Sequence, residues 1–230
     1  MEALSGLQLY DRAAFVDNVL VLADLHIGKA AAANIEAPVG AGADMVDRVE
    51  RLCERFDPGT VLVAGDLLHS FETVPRLVEE TLEGLEQTVR AADADLAVTP
   101  GNHDTMLDVV WGGSTTPEYH IGDTVVSHGH VEPESNGARY IVGHDHPTIT
   151  IEGHTRPCYL AGEGVYRGSD LLVVPSFNRL VTGVEVNEMS ASDFLSPLVS
   201  DADALAPVVR DEDRDETLAF PPLGDFRHRL

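Results

Sequence analysis

Five short apolar runs in this chain each end on residues able to hold a metal ion, and that recurrence constrains the fold more than any other feature. VLVLA from 19 is followed by Asp24 and His26, and TVLVA from 60 by Asp66 and His69. DLAVT from 95 leads to Asn102, His103 and Asp104, DTVVS from 123 to His128 and His130, and YIVG from 140 to His144 and His146. Aliphatic and β-branched runs of this length, bounded by glycine and polar residues, read as buried strands. In α/β sheets ligands gather beyond the carboxyl ends of the strands, so side chains far apart in the sequence can meet on one rim. A single Asp-x-His after a strand is usually a turn residue beside a half-exposed histidine. Five in succession, with glycines before Asp66, Asn102 and His144, point to chains that turn sharply beneath a packed site.

Between the early runs lie two helical patterns. Met45, Val46, Val49, Leu52, Cys53 and Phe56 share a face over 44–56; Val74, Leu77, Val78, Leu82, Leu85 and Val89 do so over 72–91. The first three strands therefore belong to parallel βαβ units, whereas the closely spaced later ones suggest an antiparallel continuation. The expected architecture is a single α/β domain over 1–230, a four-layer α/β/β/α sandwich of two mixed sheets flanked by helices. The alanine- and glycine-rich stretch 28–43 reads as a loop near the first strand's mouth. The charge-dense SDADALAPVVRDEDRDE from 200 reads as a solvated helix or linker.

The formal charge of −24, from 39 acidic against 15 basic residues of which Lys29 is the only lysine, fits a protein kept hydrated in concentrated salt and suggests a halophilic archaeon. In molar salt, repulsion between this surface and a polyanion is screened within about 3 Å, so acidity does not exclude nucleic acid. The two cysteines suggest neither a disulfide framework nor a thiolate metal site. No run approaches a membrane span and MEALSGLQLY lacks a signal-peptide profile, so a cytoplasmic protein without membrane association is expected.

The order Asp-x-His, Gly-Asp, Gly-Asn-His-Asp, His-Gly, Gly-His-x-His over roughly 19–150 resembles the calcineurin-like metallophosphoesterase superfamily. The DLHIGK, GDLLH, SHGH and GHDHP blocks look most like the SbcD-related archaeal phosphoesterases and the bacterial phosphoesterases associated with DNA ligase. The resemblance implies one metal held by Asp24, His26 and His146 and a second by Asn102, His128 and His144, with Asp66 bridging. It also implies that His69 faces the substrate.

Carboxylate, amide and imidazole ligands together suit manganese, with iron or zinc as alternatives, better than the oxygen-only preference of calcium or magnesium. Two such divalent ions sharing a carboxylate support in-line hydrolysis of a phosphate ester. The departing oxygen then needs a proton or positive partner, for which His103 is the candidate, with Asp104 orienting its ring. The expected activity is dinuclear phosphodiester hydrolysis, with a nuclease role by resemblance to SbcD. A small-molecule phosphomonoesterase and a non-catalytic adaptor are the alternatives, and a lid from 28–43 would favour the former. Lys29 reads either as a cation for a phosphate oxygen or as a solvated loop residue. His130 reads as support for a ligand or as surface, and Asp145 as pointing away from the metals. His120, His154 and His228 read as structural or surface residues, and Arg139, Arg156 and Arg179 as unranked candidates for the pocket wall.

Overall fold

The computed structural model describes residues 2–29, 41–69, 75–212 and 214–227. Strands β1 (Gln8–Tyr10), β2 (Ala13–Val16) and β3 (Val19–Leu22) form two antiparallel hairpins. Their two-residue turns, Asp11-Arg12 and Asp17-Asn18, have positive φ throughout (41°, 64°, 44° and 67°), the conformation that matches strand twist in tight hairpins. Helix α1 (Ala41–Phe56) leads to β4 (Thr60–Ala64), and α2 (Arg76–Ala91) to β5 (Asp95–Thr99), both strands parallel to β3. The short helix α3 (Leu107–Val110) precedes β6 (Ser114–Thr115), which closes a six-stranded sheet in sequential order. The βαβ expectation holds.

Strand periodicity divides this sheet's side chains between two cores. Leu20, Leu22, Val61 and Val63 face α1 and α2, meeting Val49, Leu52, Val78, Leu82 and Leu85. The alternate residues Val21, Leu62 and Ala64 face the second sheet. Both faces are buried, which is why these strands read as unbroken apolar runs. The helix faces form as expected except at Leu77, which is 46% exposed in the first turn of α2 beside a crevice shared with Lys29. Val74 lies outside the described residues, as does most of 28–43.

The second sheet comprises β7 (Tyr119–Ile121), β8 (Thr124–Ser127), β9 (Arg139–Val142), β12 (Tyr159–Tyr166), β13 (Ser169–Val173), β15 (Ala206–Asp211) and β16 (Glu216–Ala219), in the order 16-15-12-13-9-8-7. A small sheet of β10 (Pro147–Ile151), β11 (His154–Pro157) and β14 (Val184–Glu185) lies beyond. The expected antiparallel continuation is corrected at its first step. β8 and β9 run parallel, because the connection after Ser127 carries the chain back before β9 begins. The charge-dense C-terminal segment is likewise neither helix nor linker: its centre, APVVRD, is β15, with Val208 and Val209 buried. Helices cover the first sheet. The second is covered mainly by irregular chain, with Phe194, Leu198, Val199 and Leu205 packed on Ile149 and Val173.

Cys53 and Cys158 are free and buried. Among the described residues, no helix is long and apolar enough to cross a membrane.

Candidate metal centre

The parallel strands β3, β4, β5, β8 and β9 end on one edge of the paired sheets, and the loops leaving them are tied together by main-chain bonds. Asp24 N–H donates to the Gly65 carbonyl at 3.1 Å, His26 N–H to the Asp66 carbonyl at 2.8 Å, and Gly143 N–H to the His128 carbonyl at 3.1 Å. Ligand atoms of Asp24, His26, Asp66 and His146 come within 4.8 Å of one another. His26 Nε2 lies 3.2 Å from His146 Nε2. Asp24 Oδ1 lies 3.4 Å from His146 Nε2 and 3.5 Å from His128 Nδ1. Asp66 Oδ2 is 3.7 Å from His26 Nε2 and 3.5 Å from His128 Nε2, and so stands between the two expected ligand groups. In the second group, His128 Nε2 lies 2.9 Å from Asn102 Oδ1, and the His144 ring packs edge-on to His128 with centroids 4.7 Å apart.

The local backbone is held in a conformation that side chains rarely adopt. Asp24, His26, Asp66, His144 and His146 all have positive φ, between 42° and 72°. Such strain costs about 1–3 kcal/mol per residue and gathers at functional sites. The glycines singled out in the sequence prove to be points of close approach. A Cβ on Gly65 would lie 2.1 Å from His128 Nδ1, on Gly101 2.1 Å from Asp66 Oδ1, and on Gly143 2.5 Å from Asp24 Oδ2. Only Gly65 also needs a positive φ, 82°.

Electrostatics fit a cation. Burial raises the carboxyl pKa of Asp24, and raises that of Asp66 to about 7 with the Asp24 and Asp104 charges adding to the effect. Burial, with neighbouring imidazoles, lowers His26 to about 3 and His144 to about 4, so both rings are neutral and have a lone pair to offer. His146 is also penalised by burial, but its close contact with the Asp24 carboxylate and that residue's charge prevail and raise it. The Asp24 Oδ1 atom is buried without a hydrogen bond. Buried carboxylates facing the neutral imidazoles of His26 and His144 make a donor set suited to a divalent cation.

His69 and His103 stack at 6.0 Å with 11° between their planes, and with His26 they form a second group able to hold a metal. His103 N–H donates to Asp66 Oδ1 at 2.9 Å. The structure gives Asp104 a main-chain task that the sequence did not suggest. Its carboxylate accepts N–H bonds from Gly101 and Leu68, each at 2.8 Å, and from Leu67 at 3.3 Å. His130 packs 5.1 Å from the His128 ring. The Asp145 carboxylate accepts the Leu195 N–H at 2.7 Å, anchoring the outer layer. A cavity of about 490 Å3 opens beside His128 and His130, and His120, expected to be structural or surface, lines it with Glu118. Arg139 donates to the Ser5 carbonyl and Arg179 to Asp11 and Asp44; His154 is exposed on β11, and His228 lies outside the described residues.

Two residues missed in the sequence support the ligands from below. The Ser176 hydroxyl donates to the Asp24 carbonyl at 2.7 Å, and the Asn178 amide to the Leu25 carbonyl at 2.8 Å. Their signal was present: PSFN follows the apolar run LLVV as the other polar groups follow theirs.

A family profile described as calcineurin-like phosphoesterase matches residues 18–173. Among solved structures, the chain is similar to nuclease MPE from Pseudomonas putida, with a TM-score of 0.63 and 21% identity over 88% of this chain and 91% of that one. It is also similar to the phosphoesterase YfcE from E. coli, with a TM-score of 0.44 and 16% identity over 89% of this chain and 98% of that one. No curated protein matches it.

Proposed function

The chain belongs to the calcineurin-like phosphoesterase family, and from that premise we propose that it hydrolyses phosphodiester bonds, those of nucleic acid included, with two divalent metal ions. The observation that carries this reading is the position of Asp66 Oδ2, 3.7 Å from one imidazole group and 3.5 Å from the other. Asp24, His26 and His146 would hold one ion, and Asn102, His128 and His144 the other, with Asp66 shared. Manganese is the proposed metal, iron or zinc being compatible with the same donors.

When bound, the ions supply Lewis acidity for the phosphoryl oxygens and a nucleophile at neutral pH. The chain supplies the rest. Asp66 is held for its shared role by the His103 N–H, and Asp104 fixes the loop that carries both Asn102 and His103. His103 donates a proton to the departing oxygen, and its stacked neighbour His69 lies against the substrate. Lys29, beside His26 in the adjoining crevice, offers a cation to a non-bridging oxygen. A diester has two arms to accommodate, and the cavity beside His128 and His130 gives one of them room.

The test is hydrolysis of bis-p-nitrophenyl phosphate against p-nitrophenyl phosphate by protein purified without chelator, with its metal content measured. Diester activity with close to two equivalents of metal is expected. Activity on the monoester alone would point to a phosphomonoesterase, and inertness towards both would point to an adaptor.

A further inference from the structure

Four of the fourteen arginines, Arg12, Arg156, Arg179 and Arg210, line one cleft of about 180 Å3 together with Asp11 and Glu212. The cleft adjoins the metal centre. Arg12 lies in the β1–β2 turn, and its Nη1 donates to the Ser176 and Asn178 carbonyls at 3.2 Å each. Those two residues in turn bond the loop that carries Asp24 and His26, so cleft and ligand loop share a wall. Arg156 lies on β11 opposite Ile149 of β10, the strand that starts directly after His146.

The carboxylates present neutralise these cations only in part: Arg179 pairs with Asp11 and Asp44, and Arg210 with Asp215. Asp11 already serves the buried Arg48, at 2.8 Å and 2.9 Å, as well as Arg179. Glu212 accepts the Asp11 N–H at 2.8 Å and comes only within 3.7 Å of Arg210 Nε. Arg210, whose outer nitrogens reach Asp215 and Thr217, is 9% exposed and keeps that Nε buried without a hydrogen-bond partner. Among the described residues, Arg12 and Arg156 have no carboxylate within ion-pair distance. Burial, followed by repulsion from Arg48 and Arg179, lowers the Arg12 guanidinium to about 10, a crowding of like charge that a bound anion would relieve.

We propose that this cleft binds a second, non-scissile phosphate of a polynucleotide, steering the strand across the rim while its scissile phosphate lies at the metal ligands. The inference rests on the phosphodiesterase reading and narrows its substrate to a polymer. Arginine forks match phosphate oxygens. The opposite flank disfavours a second phosphate, because the cavity beside His130 is lined by Glu118, Glu132 and Glu134. The strand therefore extends towards the arginines, leaving an uncharged base or terminus for the cavity.

Arg156 is exposed, so its replacement should leave folding intact. Fluorescence anisotropy of a labelled oligothymidylate with the whole protein would compare wild type, Arg156→Ala, Arg156→Glu and Arg90→Ala, the last removing equal charge at the far end of α2. The expected result is about tenfold weaker binding for Arg156→Ala, a larger loss for Arg156→Glu, and a change below about twofold for Arg90→Ala. The slope of log K against log salt should differ from wild type by about 0.7 for Arg156→Ala, the effect of one lost phosphate contact on a single strand. Equal affinities and slopes for Arg156→Ala and wild type, equal losses in Arg156→Ala and Arg90→Ala, or no binding by wild type would each overturn the cleft assignment. Diester hydrolysis with an unaffected Arg156→Ala variant would leave the proposed activity standing without the cleft. Weakened oligonucleotide binding in a protein that hydrolyses no diester would leave the cleft standing without the activity.

Discussion

The Asp104 carboxylate accepts the Leu68 N–H at 2.8 Å, and so binds the loop after β5 to the loop after β4. With the bonds from Leu67 and Gly101, one buried side chain holds Asp66, Asn102 and His103 in a common frame. Asp104→Ala would leave three backbone N–H groups without their acceptor. A loss of about 3 kcal/mol is expected in urea unfolding, against about 1–2 kcal/mol for Asp104→Asn, which keeps one acceptor oxygen. An unchanged midpoint in the alanine variant would refute the bracing role.

Metal should stabilise the fold, because cations would neutralise the Asp24 and Asp66 carboxylates, whose charged forms burial disfavours. For chelator-treated protein, manganese at about a hundredfold over its Kd should add about 2.7 kcal/mol. In a chain of this size that is a rise in Tm of about 5 °C or more. Calorimetry with and without manganese would read it, and Asp24→Asn should blunt the response.

Gly101→Ala tests the shared carboxylate without replacing a ligand residue. Its methyl group would meet Asp66 Oδ1, the same atom that accepts the His103 N–H. Metal content should fall below that of wild type, and diester hydrolysis by at least about 100-fold, beyond the range seen when outer supports of metal ligands are removed. Full metal occupancy with normal rates would contradict the position assigned to Asp66.

His103→Ala should discriminate between leaving groups. p-Nitrophenolate departs without a proton, so bis-p-nitrophenyl phosphate should be hydrolysed nearly as fast as by wild type. An alkyl ester needs protonation, and its rate should fall by about 10²–10⁴-fold. A uniform loss on both substrates would assign His103 to metal or substrate positioning instead.

The strand-end residues were legible because each obeys a local rule: an apolar run of period two, then a polar group where the run stops. The same rule would have found Ser176 and Asn178 after LLVV. Leu77 could not be read correctly, since its helical face was right and its exposure depends on what packs there. APVV in the C-terminal segment was hidden by its flanking charges, which describe the strand's edges and not its middle. Arg156 and Arg179 stood among the unranked candidates for the pocket wall, but nothing local relates them to Arg12 and Arg210, since the four lie on separate elements.

The chain's own order of residues therefore determined which side chains face inward and which groups stand at the mouths of the strands. These are properties of periodicity and residue type. Tertiary structure alone decided that β8 runs parallel to β9, that Asp66 faces imidazoles from both sheets, and that Arg12 and Arg156 line one cleft beside the loop carrying Asp24. Those relations come from packing two sheets face to face, which sets distances between residues that no local preference relates.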